Sequence, residues 1–112
     1  MRAFILLLAG LLLTGCGSKT QFDQGRWRNA DLGTSERAHM VASLFREHNL
    51  NGMGRTEIIE LLGLPALNDK WEGSEMIYVL GPDRGLMAIG HESLLIELDH
   101  QDRVSSYRVV SD

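Results

Sequence analysis

The chain predicts an α+β fold: two helices packed on a three-stranded antiparallel sheet, after a signal peptide and a flexible tether. Three observations carry this. Helical apolar periodicity is confined to residues 35–62 and strand-like patterning to residues 76–110, so helices and strands are segregated rather than interleaved. The strands follow one another without intervening helices, which implies antiparallel pairing. An apolar run at the N-terminus ends at the sole cysteine, ahead of a polar stretch without a period.

Met1-Arg2 supplies a short positive start, and residues 3–13 are uncharged and leucine-rich. A spanning helix needs about 20 such residues, so this run has the length of a signal peptide instead. Leu13-Thr14-Gly15-Cys16 resembles the bacterial lipobox, in which small residues suit a signal peptidase and leave the thiol open to a diacylglyceryl group. The resemblance implies that residues 1–15 are removed and that Cys16 becomes a lipidated N-terminus, with an N-linked acyl chain such as palmitate in many Gram-negative species. Two acyl chains suffice for stable anchoring. Gly17, where inner-membrane lipoproteins usually carry Asp, points to the outer membrane facing the periplasm. A lone cysteine also excludes an internal disulfide.

Cutting 112 residues after position 15 leaves 97, enough for one small domain with a modest core. All 15 acidic residues remain and one of 11 basic residues, Arg2, is lost, giving a net charge of −5. This balance argues against a nucleic-acid surface and against electrostatic adhesion to anionic lipid.

Residues 16–33 are polar and read as a tether that reaches about 50–60 Å. Phe22, Trp27 and Leu32 are scattered through it. Trp27, between Arg26 and Arg28, has three outcomes open to it: packing on the domain, which is favoured, touching the membrane interface, or meeting a partner. The domain is expected over residues 34–112. Thr34 or Ser35 can cap a helix over residues 35–49, with Met40, Val41, Leu44, Phe45 and His48 on one stripe. Asn49, Asn51 and Gly52 end it. A second helix is expected over residues 55–62, with Ile58, Leu61 and Leu62 inward, Gly63 at the C′ position and Pro65 beyond. Residues 68–74 form a polar loop carrying Trp71.

Strand signals follow. Met76-Ile77-Tyr78-Val79-Leu80 is a β-prone run closed by Gly81-Pro82. Residues 81–90 are expected as a loop whose apolar middle, Leu86-Met87-Ala88-Ile89, packs over the sheet. Leu94, Ile96 and Leu98 alternate with Leu95, Glu97 and Asp99, a strand with one buried face. His100-Gln101-Asp102 makes a turn, and residues 104–110 form the last strand with Tyr107 and Val109 on one face.

Motifs for chemistry are missing. His39, His48, His91 and His100 include no i, i+4 pair, and His91-Glu92 fails as a zinc-protease start because Leu95 stands where the second histidine belongs. Asp99 and Asp102 lack the spacing of a calcium loop, and Gly81-Pro82-Asp83-Arg84-Gly85 lacks the lysine of a phosphate loop. Glu57 and Glu60 read as a solvated helix face. No catalytic residue, cofactor or metal site is expected.

Leu50-Asn51-Gly52-Met53-Gly54-Arg55-Thr56-Glu57-Ile58-Ile59-Glu60-Leu61-Leu62-Gly63-Leu64-Pro65, followed by a strand containing Tyr78, resembles the signature of the SmpA/OmlA (BamE-like) small-lipoprotein family. The resemblance covers residues 50–109. It departs at Gly54, where family members usually place Ser or Thr. It implies the same two-helix, three-strand fold, shared with the repeats of a β-lactamase inhibitor, and a non-enzymatic role in binding envelope proteins, supporting outer-membrane protein assembly or envelope integrity. The alternative is a small periplasmic enzyme inhibitor or ligand-binding lipoprotein. Candidate partner contacts are Trp71, Tyr78, Asp83 and Arg84, and the expected partners are the membrane, through Cys16, and an envelope protein.

Overall fold

The computed structural model describes residues 20–66, 75–84 and 90–111. Residues 1–15, expected as a signal peptide, Cys16, the whole 68–74 loop with Trp71, and Leu86-Met87-Ala88-Ile89 lie outside them. The order is α1 (Gln24–Asn29), α2 (Glu36–Glu47), α3 (Arg55–Leu62), β1 (Glu75–Pro82), β2 (His91–Leu98) and β3 (Val104–Ser111). The strands form one antiparallel sheet in the order β1-β2-β3, and the fold is α+β as predicted.

One element is additional. The stretch read as tether contains α1, and its Phe22 and Trp27 belong to the core, Trp27 being 0% exposed. The physical cause is a local cap joined to long-range burial. Asp23 accepts the Arg26 N–H at 2.8 Å and starts the helix. A helix of 6 residues is too short to hold itself together, so the buried indole supplies what propensity does not. Residues 20–33 are therefore a strap packed into the domain rather than a free tether.

The two predicted helices lie where periodicity put them. α2 buries Ala38, Met40 and Leu44. Ser43 joins them at 0% exposure, while His48 is its C-cap and turns its ring edge to Phe22, 5.7 Å between centroids. α3 has its Gly54 N–H accepted by the Glu57 carboxylate at 2.8 Å, so Glu57 is a capping residue. It stops at Gly63, whose φ of 85° favours glycine. The core lies between the helices and the sheet face bearing Met76, Tyr78, Leu80, Leu94, Ile96 and Leu98. The link between α2 and α3 is sewn to β3: Gly52 N–H to Val104 O at 2.9 Å, and Val104 N–H to Met53 O at 2.8 Å.

Two strand expectations change. β1 and β2 run on to pair Gly81 with Glu92 and Pro82 with His91, so the loop expected from residue 81 begins at Asp83. A register irregularity between Val79 and Gly81 allows this, and Gly81, at φ 137°, packs so close to α2 that a Cβ would stand 2.2 Å from the Thr34 carbonyl oxygen. Leu95 is also buried, at 1% exposure, opposite Ile77 on the second sheet face. β2 is thus buried on both faces at its centre, not on one.

Candidate functional site

The densest polar constellation lies where the strap crosses the C-terminus of α3 and the start of α2. A helix leaves its last carbonyls without intrahelical donors. Here the strap supplies several. Trp27 Nε1–H donates to Leu62 O at 3.1 Å, and Arg28 donates to Ile59 O at 3.3 Å and to Glu60 O. Gln24 Nε2 donates to the same Glu60 carbonyl. Arg28 also sets a cation at the negative end of the α3 dipole. From the sheet, Tyr78 Oη–H donates to Gly63 O at 2.8 Å.

Arg37 closes the junction from α2. Its Nε–H donates to Trp27 O at 2.8 Å and an Nη–H to Val79 O at 3.1 Å, with the guanidinium 4.9 Å from the indole centroid. Burial lowers the Arg37 pKa, against a smaller raising influence from Tyr78. Burial pushes the Tyr78 phenol well above the usual tyrosine range, with Arg37, Arg28 and Arg55 pulling the other way. The phenol stays neutral and donates. Arginines that meet backbone carbonyls and a phenol that keeps its proton fasten elements together.

At the other end of the strap, Ser43 Oγ accepts the Phe22 N–H at 2.8 Å and donates to Glu47 Oε2 at 2.7 Å. Gln21 Nε2 reaches the same carboxylate oxygen at 3.2 Å. The Ser43 bond, then the Gln21 bond, hold the Glu47 pKa below the usual carboxylate range.

The sequence-predicted partner contacts fall in different places. Tyr78 is 1% exposed and belongs to the core, so it is corrected from a contact residue to a fastening one. The sequence signal was ambiguous because a strand tyrosine serves either purpose. Asp83 and Arg84 stand together at the loop end of the β1–β2 hairpin, just past the Pro82–His91 pair. Arg84 Nε–H donates to Glu92 Oε1 at 2.8 Å and its side chain is 46% exposed. The Asp83 N–H donates to Gly90 O at 3.2 Å. Trp71 and Cys16 lie outside the described residues. Trp27, Arg28 and Arg37 were not singled out from the sequence as a group. Only the Asp23 cap ahead of Trp27 signals the strap locally.

Among the described residues, no group of three His, Cys, Asp or Glu side chains converges as a metal site, and no helix is long and apolar enough to cross a membrane.

Fold and junction together define a class: a small α+β domain fastened by its own N-terminal strap. No protein-family model, curated protein or solved structure matches the chain.

Proposed function

We propose that this chain is a non-enzymatic, lipid-anchored envelope protein that works by protein contact, in the manner of the SmpA/OmlA lipoproteins that residues 50–65 resemble. The lipid on Cys16 would hold it to the membrane, with the domain in the periplasm of a Gram-negative host. The observation that carries this reading is the short distance between lipobox and fold. Among the described residues Phe22 is the first held in the core, and it lies six positions beyond Cys16. At about 3.3–3.6 Å per residue, the attachment point of the domain, Phe22, lies at most about 20 Å from the anchor. The 50–60 Å expected of a flexible tether is shortened because residues 22–33 are spent on the strap. A domain held this close meets proteins in or against the same membrane.

Replacing Cys16 with Ala tests the anchor. The variant is expected to move from the membrane fraction to the soluble fraction of lysed cells, with the folded domain intact by circular dichroism. Retention of Cys16→Ala in the membrane fraction would sink the lipobox reading.

A further inference from the structure

The two edges of the sheet are finished differently. Along β1, Ile77 O accepts the Ala66 N–H at 2.7 Å and Val79 O accepts from Arg37 at 3.1 Å. Along β3, bonds beyond β2 stop at Val104, which meets Gly52 and Met53. In an antiparallel ladder each residue sends both backbone groups to one side, and the sides alternate. Ile77 and Val79 face outward, so Met76 and Tyr78 face their partners Ile96 and Leu94. Ser93, Leu95 and Glu97 then face β3, where they meet Val110, Arg108 and Ser106. Tyr107, Val109 and Ser111 are left with N–H and C=O directed out of the sheet. Among the described residues, nothing bonds these outward backbone groups.

Exposed edges are normally blocked by proline, by charged side chains (lysine above all) or by a bulge, and the one charge on residues 107–111 is Arg108. Residues 107–111 contain no proline or lysine, and the β3 irregularity lies at the far end, beside Leu98. Val109 is 38% exposed on the side that Tyr107 shares with the core. On the other side stands Arg108, bonded to Glu97 at 2.7 Å yet 54% exposed.

We propose that the open β3 edge at residues 107–111 is a docking site for an extended segment of a partner protein, which adds to the sheet as a fourth strand. Its backbone pairs with Tyr107, Val109 and Ser111. Apolar residues of the segment lie beside Tyr107 and Val109, and acidic residues lie beside Arg108. A second copy of this chain fits less well. Paired over residues 105–111, a second copy sets Arg108 opposite Arg108, and like charges directly opposite destabilise a ladder. Centred on Val109 it pairs residues 107–111 but sets Arg108 opposite Val110, without the acidic neighbour that a foreign segment can supply. The proposal rests on the interaction-module reading for its partner class but not on the lipid anchor.

The test uses the full chain, purified from whichever fraction holds it. Random displayed peptides are selected on it, and the recovered peptides are synthesised. Peptides alternating apolar with acidic residues are expected, and they slow hydrogen exchange of the Tyr107 and Val109 amides by at least about tenfold. Val109→Pro removes one outward N–H at a position where an edge strand tolerates proline, and is expected to weaken binding about tenfold while Val109→Ala retains it. Unaltered circular dichroism shows that the proline variant folds. If it does not fold, amide exchange on the unmodified chain decides alone. Peptides that leave the two amides unprotected overturn the edge site and spare the interaction-module reading. Peptides bound equally by Val109→Pro, or protection that appears without peptide as protein concentration rises, also overturn it, the last in favour of a second copy. Failure to recover any binding peptide overturns both readings.

Discussion

Replacing Trp27 with Ala tests whether the strap is part of the domain. The indole is 0% exposed and stacks near Phe22 and Tyr78, at 5.9 and 6.5 Å between centroids. Removing a buried aromatic to Ala costs about 3–5 kcal/mol. Loss of Nε1–H leaves Leu62 O without that donor, for about another 1 kcal/mol. Arg37 loses its stacking surface, worth about 0.5–1 kcal/mol. The expected total is about 4.5–7 kcal/mol, a large part of the roughly 5–15 kcal/mol that holds a domain together. For a domain of this size that lowers Tm by about 20 °C or more. Urea unfolding followed by far-UV circular dichroism measures it, since the mutation removes one of the 2 tryptophans that fluorescence would report. Trp27→Phe keeps much of the packing and loses the donor, so an intermediate cost of about 1–3 kcal/mol is expected. A mature chain beginning at residue 34 should be severely destabilised. If Trp27→Ala costs less than about 1 kcal/mol, or the shortened chain unfolds at the same urea concentration as the longer one, the strap is an appendage and the reasoning is wrong.

Four further outcomes follow from the geometry. Gly81→Ala imposes a side chain at φ 137° and 2.2 Å from the Thr34 oxygen, so a loss of about 3 kcal/mol or more is expected in thermal unfolding. Ser43→Ala strips the Phe22 N–H of its acceptor and should cost about 1–3 kcal/mol, with faster hydrogen exchange at Phe22. Hydrogen bonds from Ser43 to Glu47, from Arg108 to Glu97 and from the Arg103 N–H to Asp99 depress those three carboxyl pKa values. Folded pKa values below the unfolded ones mean stability that is present above the unfolded pKa and lost as pH falls through the folded one. Tm should therefore hold near neutrality and decline below about pH 4.5. Tyr78 has the opposite sign: its raised pKa makes stability fall as pH climbs above about 10, and Tyr78→Phe should flatten that alkaline decline.

The legible parts of this fold are those whose signals are local. α3 runs from Arg55 to Leu62 as read, because Gly63 and Pro65 punctuate its end. The alternation of Leu94, Ile96 and Leu98 gave the core face of β2 directly. The packing of Trp27 on the domain is legible as its favoured outcome, but α1 is not, because a helix of 6 residues is too short to display a period and its fastening partners are distant, Leu62 being 35 residues from Trp27. Burial of Leu95 was missed for a related reason. Alternation assigns faces, but it does not say that Ile77 on another strand will stand opposite and bury with it. In the candidate site, the sequence shows the residue type of Tyr78 but not its role, since the carbonyl that its phenol meets at Gly63 is fixed only by tertiary packing.

The strap also orders events in time. Apart from Phe22 and Asp23, the groups that receive Trp27 are made after it: α2 comes next, the Leu62 carbonyl 35 residues later, and Tyr78 later still. Contacts between positions so far apart form slowly, because a long loop has to close first. The first part of the domain to leave the ribosome is therefore among the last to find its place. During that interval the indole stays open to water, and to any chaperone that holds exposed aromatic side chains.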